Sequence, residues 1–402
     1  MAALTKPILL FCYEFKPDLG GTAELSYSVA DALHRRGWGV TVFAREGASA
    51  DVPLVMPFEV VRALPEGREG MWRGVQGARQ VCAIRKRLAR TVRERGIAYV
   101  LFTENLRLRH GNGFWLARSL RALGCPCGVV FHGMDILQVA KMRPHRQWMF
   151  RKALDSMRDI YCNSRFTAER VREWYGARAN PAVIGCGISP ERLAPAVTKR
   201  AARERLGLGD GLVLLSVCRL VPRKGVDIMI RALPSIARRH PDITYVVAGG
   251  GPDLERLKAL TDETGCARQV RFEGVFDDDL LAQYYCAADV FAMPSRIIPG
   301  RSVEGFGIVY VEAGHYGLPV IGGRAGGVPD AIIHGETGFL VDPEDPEDAA
   351  RAVVALLDDP ALRLRMGQAG RARADRDLTW DAVAQRIETR IVQTLAADHR
   401  DC

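Results

Sequence analysis

Glu304-Gly305-Phe306-Gly307-Ile308-Val309-Tyr310-Val311-Glu312 lies between two short apolar runs, Val290–Met293 and Val320–Gly322, in a chain of 402 residues. The runs read as strands and the stretch between them as the start of a helix. Strand, glycine-bearing turn and helix in that order is the repeating unit of a parallel sheet covered on both faces. Two carboxylates bracket the glycines. On one continuous helix they would stand ~12 Å apart along the axis and ~80° around it. The glycines let a ligand approach the backbone, and a helix start offers free N–H groups at the positive end of the dipole. That combination suits a sugar-diphosphate-ribose unit, with Glu304 toward sugar hydroxyls, Gly305–Ile308 toward the diphosphate and Glu312 toward the ribose. The competing reading is a surface helix with two solvated glutamates.

Working outward, the same alternation recurs. Pro7–Tyr13, Gly39–Ala44, Ala98–Thr103, Gly128–His132 and Asp159–Asn163 are strand candidates separated by helical stretches. Ser189–Lys199 is polar, contains prolines and breaks the series, which makes it a linker candidate. A second series follows with Leu212–Cys218, Ile243–Ala248, Val270–Glu273 and the two runs above. Helical stretches at 225–239, 253–264, 278–287 and 305–316 lie between them, and a final amphipathic helix runs over Thr379–Ala397. The expectation is two doubly wound α/β domains, 1–190 and 200–375, with 376–402 as a closing helix. Such sheets bind ligands beyond the carboxyl ends of their strands.

Five more motifs fall at expected strand ends. Gly20-Gly21-Thr22-Ala23-Glu24 is a plain turn or a phosphate loop opening a helix. His132, in Phe131-His132-Gly133-Met134-Asp135, is structural or a partner for a substrate hydroxyl. In Cys218-Arg219-Leu220-Val221-Pro222-Arg223-Lys224-Gly225, Arg219 and Lys224 can converge on a pyrophosphate, Arg as a planar fork and Lys as a point charge. Solvated surface charge is the alternative there. Ala248-Gly249-Gly250-Gly251-Pro252 is a tight turn or a ligand loop. Arg324-Ala325-Gly326-Gly327-Val328-Pro329-Asp330 ends on a carboxylate suited to capping the next helix.

The composition is that of an ordinary globular chain, 48% hydrophobic and 26% charged. No run reaches the roughly 20 apolar residues that span a bilayer, and no signal peptide is read at the amino terminus. The 10 cysteines contain no Cys-x-x-Cys pair; they read as reduced core residues in a cytoplasmic protein. The net charge of +9 is unevenly spread: residues 1–190 hold 29 Lys and Arg against 16 Asp and Glu. That half points to an anionic partner. Between Arg68 and Arg95, cations alternate with Trp72, Val75, Val81, Ile84 and Leu88. This pattern fits a helix lying on an anionic membrane surface or an ordinary solvated helix face. Nucleic acid is disfavoured, because no aromatic stacking platform accompanies the basic residues.

Taken in order, GGTAE, HGMD, CRLVPRKG, AGGGP, EGFGIVYVE, GGVPD and HGETGFLVDPED resemble glycosyltransferase family 4 over nearly the whole chain. Met293–Ala313 is most similar to the bacterial phosphatidylinositol mannoside mannosyltransferases. The resemblance implies a GT-B fold, two Rossmann-like domains facing across a cleft with the last helix crossing back to the first. It implies a retaining hexosyltransferase with no cofactor and no required metal. The donor is a nucleotide sugar, GDP-mannose favoured over a UDP-hexose, and the acceptor a lipid, lipid-linked species or glycan. The implied location is cytoplasmic, peripheral on the inner face of the membrane. By position, Gly20 and Gly21 lie near the donor phosphate. Arg219 and Lys224 bind the diphosphate, together with Gly305, Phe306, Gly307 and Ile308. Glu304 meets the transferred sugar and Glu312 the ribose. His132 stands near the reacting sugar as a catalytic residue, with Thr22, Asp135, Asn163, Ser164 and Arg165 on the acceptor side. Two features depart from the pattern: Asp330 stands where many members carry Glu, and 296–303 is longer than a minimal loop. A nucleotide-sugar epimerase or hydrolase and a non-catalytic sugar-nucleotide sensor are the rival classes.

Overall fold

A computed structural model describes residues 7–18, 21–45, 56–64, 74–104, 112–176, 179–190, 193, 196–275 and 278–398. They form two compact units, Met1–Cys186 with Trp380–Cys402, and Gly187–Thr379. The stretch 189–199 therefore belongs to the second unit.

The first unit runs β1 (Ile8–Phe11), α1 (Gly21–Arg35), β2 (Val40–Arg45), β3 (Glu59–Leu64), α2 (Gly74–Glu94), β4 (Tyr99–Phe102), α3 (Asn112–Ala122), β5 (Cys127–Phe131), α4 (Met134–Val139), α5 (Pro144–Leu154), β6 (Asp159–Cys162), α6 (Arg165–Tyr175) and β7 (Ala182–Val183). Its strands are all parallel, in the order β3-β2-β1-β4-β5-β6-β7. The second unit runs α7 (Lys199–Leu206), β8 (Val213–Val217), α8 (Val226–Ala237), β9 (Thr244–Ala248), α9 (Leu254–Glu263), β10 (Val270–Gly274), α10 (Asp278–Ala287), β11 (Val290–Met293), α11 (Ile308–His315), β12 (Val320–Gly323), α12 (Val328–Ala331), β13 (Gly338–Val341), α13 (Pro346–Asp358) and α14 (Pro360–Asp377). It too is parallel, in the order β10-β9-β8-β11-β12-β13. The chain closes with α15 (Trp380–Asp398), which packs on α1.

Strands buried on both faces need near-continuous apolar runs. ILLF of β1, YVLF of β4, VLLSV of β8 and VFAM of β11 are such runs, and every residue in them is buried. Three strands escape a reading based on such runs. Edge strand β3 carries Glu59 and Arg62 along its length, β7 has two residues, and GFLV of β13 directly follows a glycine turn. One face of the first sheet is covered by α2 to α6, whose Ile84, Leu88, Leu116, Leu120, Phe150 and Val171 join its core.

α15 is fastened to the first unit by polar contacts. Trp38 Nε1 donates to Glu388 Oε1 at 2.9 Å, and Arg36 Nε to Glu388 Oε2 at 2.7 Å. Asp159, 1% exposed at the start of β6, accepts from Arg390 Nε and Thr394 Oγ1, each at 2.8 Å, and from Tyr99 Oη at 2.7 Å. Among the described residues, no helix is long and apolar enough to cross a membrane.

In each sheet the strand order reverses once, between β1 and β4 and between β8 and β11. In open parallel sheets the crevice at that reversal, beyond the carboxyl ends, is where ligands bind.

Candidate functional site

In the second unit the reversal point is built by four loops. After β8 the chain reaches a short turn, Pro222–Lys224, closed by Gly225 in the left-handed region at φ 72°. Glycine is required there, because a Cβ on residue 225 would sit 2.2 Å from the Pro294 carbonyl oxygen. Arg296 N–H donates to the Arg223 carbonyl at 2.9 Å, so this turn is fixed against the segment that follows β11. Arg296 is held in turn by Asp227 of α8, at 2.8 Å.

That segment delivers Glu304. Its Oε2 accepts from both Lys224 Nζ, at 2.6 Å, and Arg223 Nη1, at 2.5 Å. The three side chains are 13%, 12% and 22% exposed. The main chain of Glu304 is gripped as well: its carbonyl accepts from Gly327 N–H at 2.9 Å. The GGVPD loop thus packs against the Glu304 backbone. Asp330 does not cap the following helix. Gly327 occupies the cap position without a side-chain bond, and Asp330 lies inside α12, its carbonyl accepting from Arg373 at 2.6 Å.

Glu304 and Glu312 do not share one helix. Gly307, at φ 94°, turns the chain, and α11 begins only at Ile308, so the geometry expected of a continuous rod does not apply. Tyr310 closes under this turn, its ring where a Cβ on residue 307 would be. Phe306 is buried, and no side chain caps the start of α11. Glu312 lies within α11 and accepts from Tyr285 Oη at 2.8 Å. Burial, reinforced by the Glu312 carboxylate, pushes the Tyr285 hydroxyl well above its ordinary range, so it remains a donor.

Arg219 is exposed and, among the described residues, forms no ion pair with Glu304. Arg223 makes that contact beside Lys224; consecutive cations just before Gly225 were the available signal for it. The glycines at 249–251 have a packing role. A Cβ on Gly249 would meet the Cys218 carbonyl oxygen at 1.9 Å, and one on Gly251 the Leu220 carbonyl oxygen at 2.3 Å. They let the loop after β9 lie directly on Cys218–Leu220.

The first unit has its own cluster. His132 follows β5, and its Nε2 is 2.7 Å from the Thr103 carbonyl. A carbonyl only accepts, so Nε2 carries a proton and donates it to Thr103. Asp135 accepts from the main-chain N–H of His132 and of Ile136, each at 2.9 Å. Burial raises the Asp135 carboxyl above its ordinary value, against the opposing pull of His132 and those N–H donors. Asn163 Nδ2 donates to the His132 carbonyl at 3.2 Å, and Ser164 Oγ caps α6 by accepting from Thr167 N–H at 3.2 Å. His132, Asp135, Asn163 and Ser164 are thus one network, while Arg165 is exposed beside it. Thr103 links this network to α1 through Ser26, hydroxyl to hydroxyl, at 2.7 Å. Gly21 opens α1, Thr22 follows it half-buried, and a Cβ on Gly21 would meet nothing within 4 Å. Gly20 lies outside the described residues. Glu104, absent from the sequence reading, accepts from the N–H groups of Tyr13 and Glu14 at 2.8 and 2.6 Å and so pins the loop after β1.

The basic stretch needs correction in one respect. Arg68, Arg73 and Trp72 lie outside the described residues, but Val81, Ile84 and Leu88 of α2 are buried at 8%, 8% and 1% exposure. The apolar side of this helix faces the protein core and is not available for insertion into lipid. Its cations remain outside.

Residues 19–192 match the family model for Glycosyltransferase Family 4, and residues 198–373 match that for Glycosyl transferases group 1. A GDP-mannose-dependent alpha-(1-6)-phosphatidylinositol monomannoside mannosyltransferase of Mycolicibacterium smegmatis is 42% identical over 226 residues, which is 56% of this chain and 59% of that relative. The match thus spans less than two thirds of the relative's length. A D-inositol 3-phosphate glycosyltransferase of Corynebacterium jeikeium is 29% identical over 404 residues, 95% of this chain and 94% of that one. Among solved structures, a sucrose-phosphate synthase from Thermosynechococcus elongatus superimposes with a TM-score of 0.77 at 24% identity, over 98% of this chain and all of that one.

Proposed function

Because this chain belongs to the glycosyltransferases that join a family 4 domain to a group 1 domain, we propose that it moves a hexose from a nucleotide diphosphate sugar to a lipid-borne or glycan acceptor, with retention of configuration. The observation that carries the proposal is the carboxylate–cation cluster Glu304–Arg223–Lys224 at the carboxyl ends of β8 and β11. Cleaving a sugar–phosphate bond builds negative charge on the departing diphosphate and positive character on the sugar. Arg223 and Lys224 stabilise the first, aided by the uncapped start of α11 and by Arg219. Glu304, released from its cations, is free to meet the sugar. The charge that a divalent cation supplies in other transferases is here carried by these side chains, and no metal is required. Same-face attack is favoured, with the departing phosphate oxygen taking the acceptor's proton; a double displacement would need a carboxylate on the opposite face of the sugar.

GDP-mannose is the favoured donor, in keeping with the GDP-mannose-dependent relative from Mycolicibacterium smegmatis; a UDP-hexose is second. The exposed cations of α2 support an acceptor held at an anionic surface. The experiment is a thermal-shift screen of GDP-mannose, UDP-glucose, GDP and UDP with and without EDTA. A true donor at 100 times its dissociation constant stabilises by about 2.7 kcal/mol. Indifference to every nucleotide sugar and nucleotide refutes the proposal; a shift abolished by EDTA refutes its metal-independent form.

A further inference from the structure

The solvent side of the helical layer α2, α3 and α5 combines two features, a strong excess of cations and exposed aromatic rings. Its three helices carry 11 Lys and Arg and a single acid, Glu94. Amid these cations stand two of the most exposed aromatic residues in the described chain, Trp115 of α3 at 43% and Trp148 of α5 at 57%. Phe114 joins them into one row, its ring centroid 4.9 Å from Trp115 and 6.3 Å from Trp148. The row is braced from α2: Arg85 lies over the Trp115 ring at 5.6 Å and donates through Nε to Ser119 Oγ at 2.8 Å. Arg118 and Arg121 flank it on α3 and are exposed.

We propose that this row is the membrane-docking surface of the protein, with Trp115 and Trp148 seated among the headgroups of an anionic bilayer and the surrounding cations held by its surface charge. Indole rings are amphipathic and favour the water–lipid boundary, while an anionic leaflet attracts basic faces over about a Debye length. The buried apolar stripe of α2 cannot serve this purpose, so α3 and α5 supply the apolar contact and α2 supplies charge. A second copy of the chain is a poor occupant, because joining two such faces brings like charges together. The inference deepens the reading of a lipid-borne acceptor, but its test requires no turnover.

The full chain is incubated with phosphatidylcholine vesicles, with and without phosphatidylglycerol, and with the same vesicles containing brominated lipid. The wild type cosediments with the anionic vesicles only, and brominated lipid quenches its tryptophan emission. The double variant Trp115→Ser/Trp148→Ser loses about tenfold or more in vesicle affinity together with the quenching, yet keeps its melting temperature and its nucleotide-sugar shift. Arg118→Glu/Arg121→Glu also weakens vesicle binding. The proposal is overturned if the tryptophan variant binds like the wild type, if quenching persists in it, or if no anionic vesicle binds the wild type. It is also overturned if a single-stranded oligonucleotide binds through the same two tryptophans and displaces the vesicles. Vesicle binding that follows the tryptophans without any nucleotide-sugar shift upholds this surface while removing the donor assignment.

Discussion

Replacing Glu304 by Gln is expected to make the protein bind free nucleoside diphosphate more tightly while transfer slows. On the proposed reading, the carboxylate and a diphosphate are rivals for the same two cations. Glu304 Oε2 takes a hydrogen bond from Lys224 at 2.6 Å and another from Arg223 at 2.5 Å, and none of the three side chains is more than 22% exposed. Solvent therefore screens these pairs less than it would on an open surface. A hydrogen bond to a charged group contributes about 1.5–3 kcal/mol. Glutamine keeps the shape and one acceptor oxygen but gives up the charge. Relief of roughly one such contact makes GDP or UDP binding tighter by about 10- to 100-fold. The change in rate runs the other way, because the carboxylate proposed to meet the sugar is gone. Isothermal titration with GDP and UDP at fixed salt measures the first effect, and initial rates measure the second. Lys224→Met serves as the contrasting variant, since it removes a cation and weakens the same titration. If Glu304→Gln binds both nucleotides no more tightly than the wild type, the idea that the acid occupies the anion site is wrong.

Other outcomes follow from the same geometry. Arg390→Met leaves the buried Asp159 carboxylate short of its cation, and a broken buried pair costs about 3–5 kcal/mol; a melting temperature unchanged by this substitution contradicts that account. Gly307→Ala forces a side chain into φ 94° and against the Tyr310 ring. The left-handed backbone alone costs about 1–3 kcal/mol, so soluble protein with wild-type stability is not expected. Burial pushes the Cys218 and Cys125 thiols up to about 11 and about 12, from an ordinary 9.0. The unfolded chain then sheds thiol protons first as pH rises, binds fewer protons than the native state, and stability declines from about pH 9 toward the folded values. The limiting slope is about 1.4 kcal/mol per pH unit per thiol. A melting temperature flat from pH 8 to pH 11 refutes this.

Periodicity made the two sheets legible, because a strand buried on both faces has to be written as an apolar run. β3 stayed hidden since an edge strand tolerates Glu59 and Arg62 in its length. Glu304 stands out in the sequence as a candidate, but its conformation does not. Glycine at 307 is compatible with a helix, and only the folded backbone, at φ 94°, reveals that the turn is left-handed. Charge type alone points to Arg219 and Lys224 and passes over Arg223; the turn that Pro222 opens and Gly225 closes brings Arg223 and Lys224 to the carboxylate. For α2 the pattern identified two faces correctly, yet an apolar face looks the same whether a protein core or a lipid lies against it. Asp159 gave no signal at all, because its partners Arg390 and Thr394 stand at the far end of the chain.

The gene itself inherits a consequence from the way α15 is tied to the first unit. Codons 187–379 encode one unit without interruption, whereas the other is written in two pieces with the first piece as its frame. An exchange of that central cassette between homologous genes swaps a whole folded body in one step. A nonsense mutation just past the codon for residue 379 spares every described β-strand yet deletes Glu388, Arg390 and Thr394, so its damage falls on the unit whose strands are encoded hundreds of codons earlier.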